Sequence, residues 1–326
     1  MINLNTSSRD LKRISEDFYN RIENSIAKRI SDRQSELNNF RTDASRTPLG
    51  DYLNSNIKKL IISPLESLNS IFDGELSTLC RNEYTRTQKI DSDFKNLLNF
   101  ILFYESQDIW KAYQLAIDIG TNTCPYCNRN YITTLGTDDK KFVRGDFDHF
   151  LPKSKFPYLR LSFYNLIPCC ITCNRNAKKA EETSLDNNIY PYKEGFNNET
   201  LFTYIPQNYN DLIGKGKPKI DFLYLGSPDH IEKSKRNVKL FRLHDQYSIH
   251  IQELNDIINK RRVFSNSYLI ELKNNYPKLL TFEEAYLLAF GKEFDLAKHE
   301  KRPLSKFTKD ITEELGLIPI QLSKNS

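Results

Sequence analysis

The sequence predicts an α+β fold, mostly helical, in which a small compact unit of short strands is flanked by helical regions. Three observations carry that expectation. Apolar residues recur at steps of three or four through much of the first 120 residues, glycines, prolines and short β-prone runs replace that spacing from Asn122, and two C-x-x-C pairs bracket the altered stretch.

Leu11, Ile14, Phe18, Ile22, Ile26 and Ile30 form one stripe, which predicts a helix within residues 8–37, with Ser7 and Asp10 as a capping box at its start. Helical patterns follow from Tyr52 to Phe72, interrupted near Pro64, and from Phe94 to Ile119, where Gly120 is a natural stop. Residues 1–120 therefore read as an N-terminal helical domain. Residues 121–182 form the compact unit, with the β-prone runs YITTL and KFVRGDF and a helix opening near Cys170. Residues 183–326 read as mixed and then helical: LFTYI and KIDFLYLG look like strands, and helical spacing returns from about His230 through Asn274, from Phe282 to Gly291 and from Leu304 to Leu315.

Of the 326 residues, 39% are apolar and 27% charged, the balance of an ordinary globular protein large enough to bury a core without disulfides. No apolar run approaches the roughly 18 residues that span a bilayer, and the N-terminal residues show no signal-peptide pattern, so the expected location is cytoplasmic, with no membrane partner. Six cysteines in such a chain point to metal before disulfides. The net charge is +5, yet Thr121–Ala180 alone holds ten Lys and Arg against four Asp and no Glu, a local +6. The basic excess thus sits in the cysteine-bearing segment, and a phosphate-bearing partner for that segment follows.

A two-residue spacer lets a tight turn point both sulfurs inward, so Cys124, Cys127, Cys170 and Cys173 match a tetrahedral structural zinc. Cys169 would give a three-residue spacer, which favours Cys170, and Cys80 stands alone as a core residue. A closed four-cysteine site leaves no position for water on the metal. Its zinc would hold the fold, and any chemistry must come from other residues.

Between the pairs stand Asp146-Phe147-Asp148-His149-Phe150-Leu151-Pro152-Lys153-Ser154 and Tyr164-Asn165-Leu166, and Cys173-Asn174-Arg175-Asn176-Ala177-Lys178 closes the unit. The run D-H-x-x-P-K-S, the later N-L and the closing C-x-x-C-N, in this order, resemble the HNH endonuclease family. The match covers Cys124–Lys178, about one sixth of the chain. That resemblance implies a ββα-metal unit on a zinc knuckle that cleaves nucleic acid. The chemistry asks for these residue types: a neutral imidazole suits the general base that activates water, here His149, and Asp148 and Asn174 offer hard oxygen ligands for Mg²⁺ or Mn²⁺. The resemblance assigns Asn165 to orienting the imidazole. It usually places histidine where this chain has Asn174, which still supplies an oxygen. Asp146 and Asn176 remain alternative ligands.

Lys153, Lys155, Arg160, Arg175, Lys178 and Lys179 are the expected phosphate-gripping residues. His230, His244, His250 and His299 form no ligand spacing and read as structural. The C-N-R-N-Y-I and D-H-F-L-P-K-S-K runs further resemble nucleases of bacterial anti-phage systems, the Septu-type PtuB family, which work beside an ATPase. The expected substrate is DNA. An RNA endonuclease and a non-catalytic zinc-containing nucleic-acid-binding module are the alternatives.

Overall fold

Helices dominate the chain, and its strands form three separate two-stranded antiparallel sheets among the described residues. The computed structural model describes residues 1–5, 9–42, 45–68, 76, 92–103, 111–264, 268–276 and 280–318.

The first stripe becomes α1 (Leu11–Asp32), which buries all six of its predicted apolar positions. Phe18, Ile22 and Ile30 are fully removed from water, each stabilising the fold by about 1.5–3 kcal/mol relative to exposure. Asp10 caps the helix, its carboxylate accepting the Arg13 amide at 3.0 Å, while Ser7 lies outside the described residues. Helix α2 (Leu49–Ile62) packs on α1. It stops where predicted: Ser63, preceding Pro64, is extended with ψ 144°, as the proline ring requires of its neighbour. Leu65–Leu68 then form a 3₁₀ turn, and the predicted continuation to Phe72 lies outside the described residues. The Phe94–Ile119 pattern yields α3 (Ser92–Ile101) and α4 (Ala112–Ile119), the latter ended by Gly120 at φ 64°. Cys80 is also outside the described residues.

The central unit opens with a short hairpin, β1 (Leu135–Gly136) on β2 (Lys141–Val143). The YITTL run is thus a strand only at its end, with Tyr131 bridging back to Thr123. Next, β3 (Asp146–His149) pairs with β4 (Leu166–Cys169) in the register Asp146↔Cys169, Asp148↔Ile167 and His149↔Leu166. The predicted helix near Cys170 follows as a single π-helical stretch, Thr172–Lys178. Two strands and a helix therefore enclose the D-H and C-N segments, as expected.

Beyond the unit, β5 (Thr200–Ile205) pairs with β6 (Lys219–Tyr224). The long helical stretch after His230 is broken into α5 (Pro228–Leu240), α6 (Leu243–Tyr247), α7 (Ile251–Val263) and α8 (Tyr268–Asn275). The first break falls at Arg242, which sits left-handed at φ 49°. Helices α9 (Phe282–Phe290) and α10 (Ser305–Glu314) complete the chain as read, α9 opening on a full Thr281–Glu284 capping box. Buried apolar side chains from all three stretches join one cluster.

Residues from both the N-terminal and the C-terminal regions pack on the first cysteine turn. Asn128, fully buried and left-handed at φ 48°, donates its amide to the Thr123 hydroxyl and the His299 carbonyl and accepts the Lys306 amide at 3.1 Å. Its own carbonyl accepts the Leu304 amide at 2.6 Å, Tyr247 Oη donates to the Cys127 carbonyl at 2.6 Å, and Ile2 N donates to the Pro125 carbonyl at 2.8 Å. The turn that presents Cys124 and Cys127 is thus gripped from outside its own segment.

Candidate active site and metal centre

The four sulfurs of Cys124, Cys127, Cys170 and Cys173 all lie within 4.8 Å of one another and are buried. With Zn–S bonds near 2.3 Å, a tetrahedron separates its sulfurs by about 3.8 Å; Cys127 and Cys170 stand 3.9 Å apart. The donor set therefore fits a zinc ion. Hydrogen bonds from Arg129 N to Cys127, from Cys173 N and Asn130 Nδ2 to Cys170, and from Gln246 Nε2 to Cys173 suit thiolates. Cys169, although adjacent, stays out of the cluster: it is the last residue of β4, and burial pushes its thiol up.

Because β3 and β4 pair in this register, Asp148 and His149 end their strand beside the π-helical stretch. Asp148, His149, Lys153, Asn174, Lys178 and Lys179 line one cavity of about 330 Å³. His149 is partly exposed there, and its Nε2 lies 3.0 Å from the Arg160 carbonyl. Desolvation lowers the imidazole to about 3, the Lys153, Arg160 and Lys178 charges acting in the same direction and the Arg160 carbonyl against them. The ring is therefore neutral, with Nε2 as donor to the carbonyl and Nδ1 as its acceptor nitrogen.

Asp148 is 7% exposed and held from two sides. Lys178 Nζ lies 2.8 Å from Oδ1, 2.7 Å from Oδ2 and 2.8 Å from the His149 carbonyl, while Tyr126 Oη donates to Oδ2 at 2.6 Å. Burial and the neighbouring Asp148 charge push the Tyr126 phenol well up, so it remains the donor. Tyr126 is missed by sequence reasoning. The only signal is its place inside the first C-x-x-C, where the turn that aims the sulfurs also aims the ring.

Asn165 is placed differently from the expectation. Fully buried, it accepts the Leu151 amide at 2.7 Å and donates to the carbonyls of Leu151 at 3.1 Å and Leu159 at 3.2 Å. Its side chain closes the loop between His149 and Arg160, so it acts on the imidazole through the loop that carries the Arg160 carbonyl. Asn174 donates Nδ2 to Asp146 at 3.2 Å, which leaves its carbonyl oxygen as the atom for a cation. Asp146 is gripped through both oxygens by Arg175, at 2.7 and 2.8 Å, and these bonds outweigh the upward effect of burial and hold its carboxyl below the usual value. Asp146 thus carries three contacts, two on Oδ2 and one on Oδ1. Asn176 lines a neighbouring cavity.

Among the six cations expected at phosphates, Lys153 and Lys179 line the cavity, and Lys179 leaves the helix at φ 53°. Two expectations are corrected. Lys178 is 3% exposed and committed to Asp148, and Arg160 turns its guanidinium to Asn99 of α3, joining the unit to the N-terminal helices. Lys155 pairs with Glu182, and Arg175, although exposed, is occupied by Asp146. Two of the histidines read as structural are fully placed: His230 bonds the Gly195 carbonyl and His299 the Phe294 carbonyl, both buried.

Part of the chain, 116 residues, is 28% identical to the Septu protein PtuB of Bacillus thuringiensis. The match takes in 35% of this chain and 41% of that protein, less than half of the relative's length. No family model and no solved structure matches the chain. No helix among the described residues is long and apolar enough to cross a membrane.

Proposed function

We propose that the chain is a metal-dependent endonuclease of the HNH type that hydrolyses phosphodiester bonds of DNA, and that it serves anti-phage defence beside an ATPase partner. The observation that carries the nuclease reading is the state of His149: a neutral imidazole, anchored through Nε2 by the Arg160 carbonyl, in a cavity it shares with Asp148, Asn174 and three lysines.

In that arrangement Nδ1 takes the proton of an attacking water. Asp148 and Asn174 would hold Mg²⁺ or Mn²⁺, whose hydration shell tolerates so few protein oxygens, and the ion would offset charge developing on the phosphate. Lys153 and Lys179 meet the phosphate from the same cavity. Asn165 keeps the His149–Arg160 loop closed, and the four-cysteine zinc holds the turn from which Tyr126 braces Asp148. The defence role rests on the similarity to the Septu protein, and a gene for an ATPase immediately beside this one is the expected neighbour.

The test is cleavage of labelled DNA and RNA duplexes by the purified protein, with Mg²⁺ and with EDTA at a concentration that leaves zinc in place. DNA should be cut with Mg²⁺ and spared in EDTA, and His149→Ala should slow cleavage by about 10²–10⁴-fold, the usual cost of a lost general base. Cleavage of RNA alone would move the activity to the RNA class. Absence of cleavage, with binding intact, would leave a non-catalytic module. An unchanged rate in His149→Ala would remove the mechanism.

A further inference from the structure

The cavity around His149 does not end at the central unit. Its wall residue Glu181 also lines a second cavity of about 590 Å³, which in turn shares Ala177 and Arg242 with a third of about 350 Å³. The three are therefore neighbours linked by shared wall residues, and α5 and its end contribute Arg236, Lys239 and Arg242 to the outer two. We propose that together they form a groove that is a phosphate-backbone track, and that Arg236, Lys239 and Arg242, which lie outside the motif-bearing segment, grip the polynucleotide leading to or from the scissile bond. The inference rests on the nuclease reading and extends its substrate contacts.

Charge and placement support it. The three cavities are lined by seven Lys and Arg against four Asp and Glu, and the buried Lys178–Asp148 pair cancels within each count. Glu182 is further offset by Lys155. Arg236, Lys239 and Arg242 are all exposed. Arg236 and Lys239 stand three apart on α5, so they share a face. Arg242 follows in the left-handed conformation that ends the helix, and it lines both outer cavities.

The present partners leave these charges usable. Arg236 bonds the neutral Asn187 amide, which does not neutralise it. Arg242 pairs with Asp245 where both side chains are about two-thirds exposed, an ion pair worth little and readily exchanged for a phosphate. Guanidinium groups match phosphate oxygens in pairs, and a cationic groove of this kind follows a backbone independently of base sequence.

The experiment measures binding of DNA and RNA duplexes as a function of salt, in a His149→Ala background so that substrate persists. Arg236→Gln, Lys239→Gln and Arg242→Gln are combined in one variant. Lys215→Gln, Lys217→Gln and Lys273→Gln are combined in a control with the same charge loss, because these exposed lysines line none of the three cavities. Zinc content and melting temperature report folding. Each lost phosphate contact removes about 0.9 from the slope of log K against log salt, so the track variant should lose about 2–3 in slope and on the order of 100-fold in affinity at 0.15 M salt. The control should keep the parental slope. The arm showing the loss, DNA or RNA, names the polynucleotide. A track variant that binds with the parental slope, or a control that loses as much, overturns the track while leaving the nuclease reading standing. A parent that binds neither duplex overturns both.

Discussion

Replacing Asn165 with aspartate changes one atom of a buried side chain and tests how the loop between His149 and Arg160 is held. Oδ1 would still accept the Leu151 amide. The second position would change from a donor serving the Leu151 and Leu159 carbonyls into an oxygen facing them. The Leu159 carbonyl would keep the Ser162 amide, so one buried carbonyl, that of Leu151, is left without a donor, which costs about 1–3 kcal/mol, a sizeable part of the roughly 5–15 kcal/mol that a protein possesses. At about 2–4 °C per kcal/mol, the melting temperature should fall by at least about 2 °C. The loss should depend on pH in a defined direction. The introduced carboxyl, facing two carbonyls, has its folded pKa raised above the unfolded value near 3.9, so folding favours its protonated form. The deficit relative to the parent should be smallest below about pH 4, where the protonated group can donate to one carbonyl, and should grow as pH rises through the raised folded pKa. Thermal unfolding of parent and variant side by side across pH 3–8 reads this out. A variant that melts with its parent at neutral pH would refute the claim that the amide donors close the loop.

Cys124→Ser should lose zinc and melt earlier, because structural zinc contributes directly to folding, whereas His149→Ala should keep both zinc and melting temperature; metal analysis and calorimetry separate them. Lys178→Ala breaks a buried ion pair and should cost about 3–5 kcal/mol in denaturant unfolding, while Lys179→Ala should leave stability nearly unchanged and remove about one counterion from the salt dependence of DNA binding. The His149 pKa, lowered to about 3 from the usual 6.5, also fixes a pH dependence. Between those values the unfolded chain binds the extra proton, so this residue's contribution to stability is lost as pH falls from 6.5 towards 3, and His149→Gln should flatten that part of the curve. For the same reason the acidic limb of kcat/KM should lie well below pH 6.5, and a limb at 6.5 in the pH–rate profile would show that the imidazole is not desolvated as the structure has it.

The cysteine cluster was legible because a two-residue spacer nearly determines where the sulfurs point. The D-H and C-N segments were legible as neighbours because they flank the cysteines at short range. What the sequence hid was direction. Lys178 and Arg160 read as surface cations, since a lysine's code is the same whether its ammonium meets water or a buried carboxylate; only β3 and the π-helical stretch, once paired, show that Lys178 points inward. Asn165 satisfies main-chain groups 6 and 14 residues away, contacts that leave no pattern in side-chain spacing. The long helical stretch after His230 hid its break at Arg242 for a related reason: the left-handed turn there is made without the glycine or asparagine that would have announced it. The tracts 6–8, 69–75, 77–91 and 104–110, which hold the Ser7 end of the capping box and the end of the second helical pattern, lie outside the described residues.

The contacts around Asp148 bear on how the proposed site would gather its cation. A carboxylate has room for about four hydrogen-bond or ligand contacts. Three are taken here, two by Lys178 and one by Tyr126, and the remaining capacity is on Oδ1, beside an ammonium. Asp148 therefore offers one oxygen in the field of a positive charge, and Asn174 adds a neutral carbonyl oxygen. Such a pair holds a divalent ion weakly by itself, and Mg²⁺ sites of this poverty are completed by water and by the phosphates of the substrate. In return, Lys178 bonds both the Asp148 carboxylate and the His149 carbonyl, and so would tie the proposed ligand and the proposed base to one helix. In the proposed nuclease the arrangement would trade affinity for the free ion against the position of the imidazole, and would leave the nucleic acid, drawn in by the surrounding lysines and arginines, to complete the site on which it is cut.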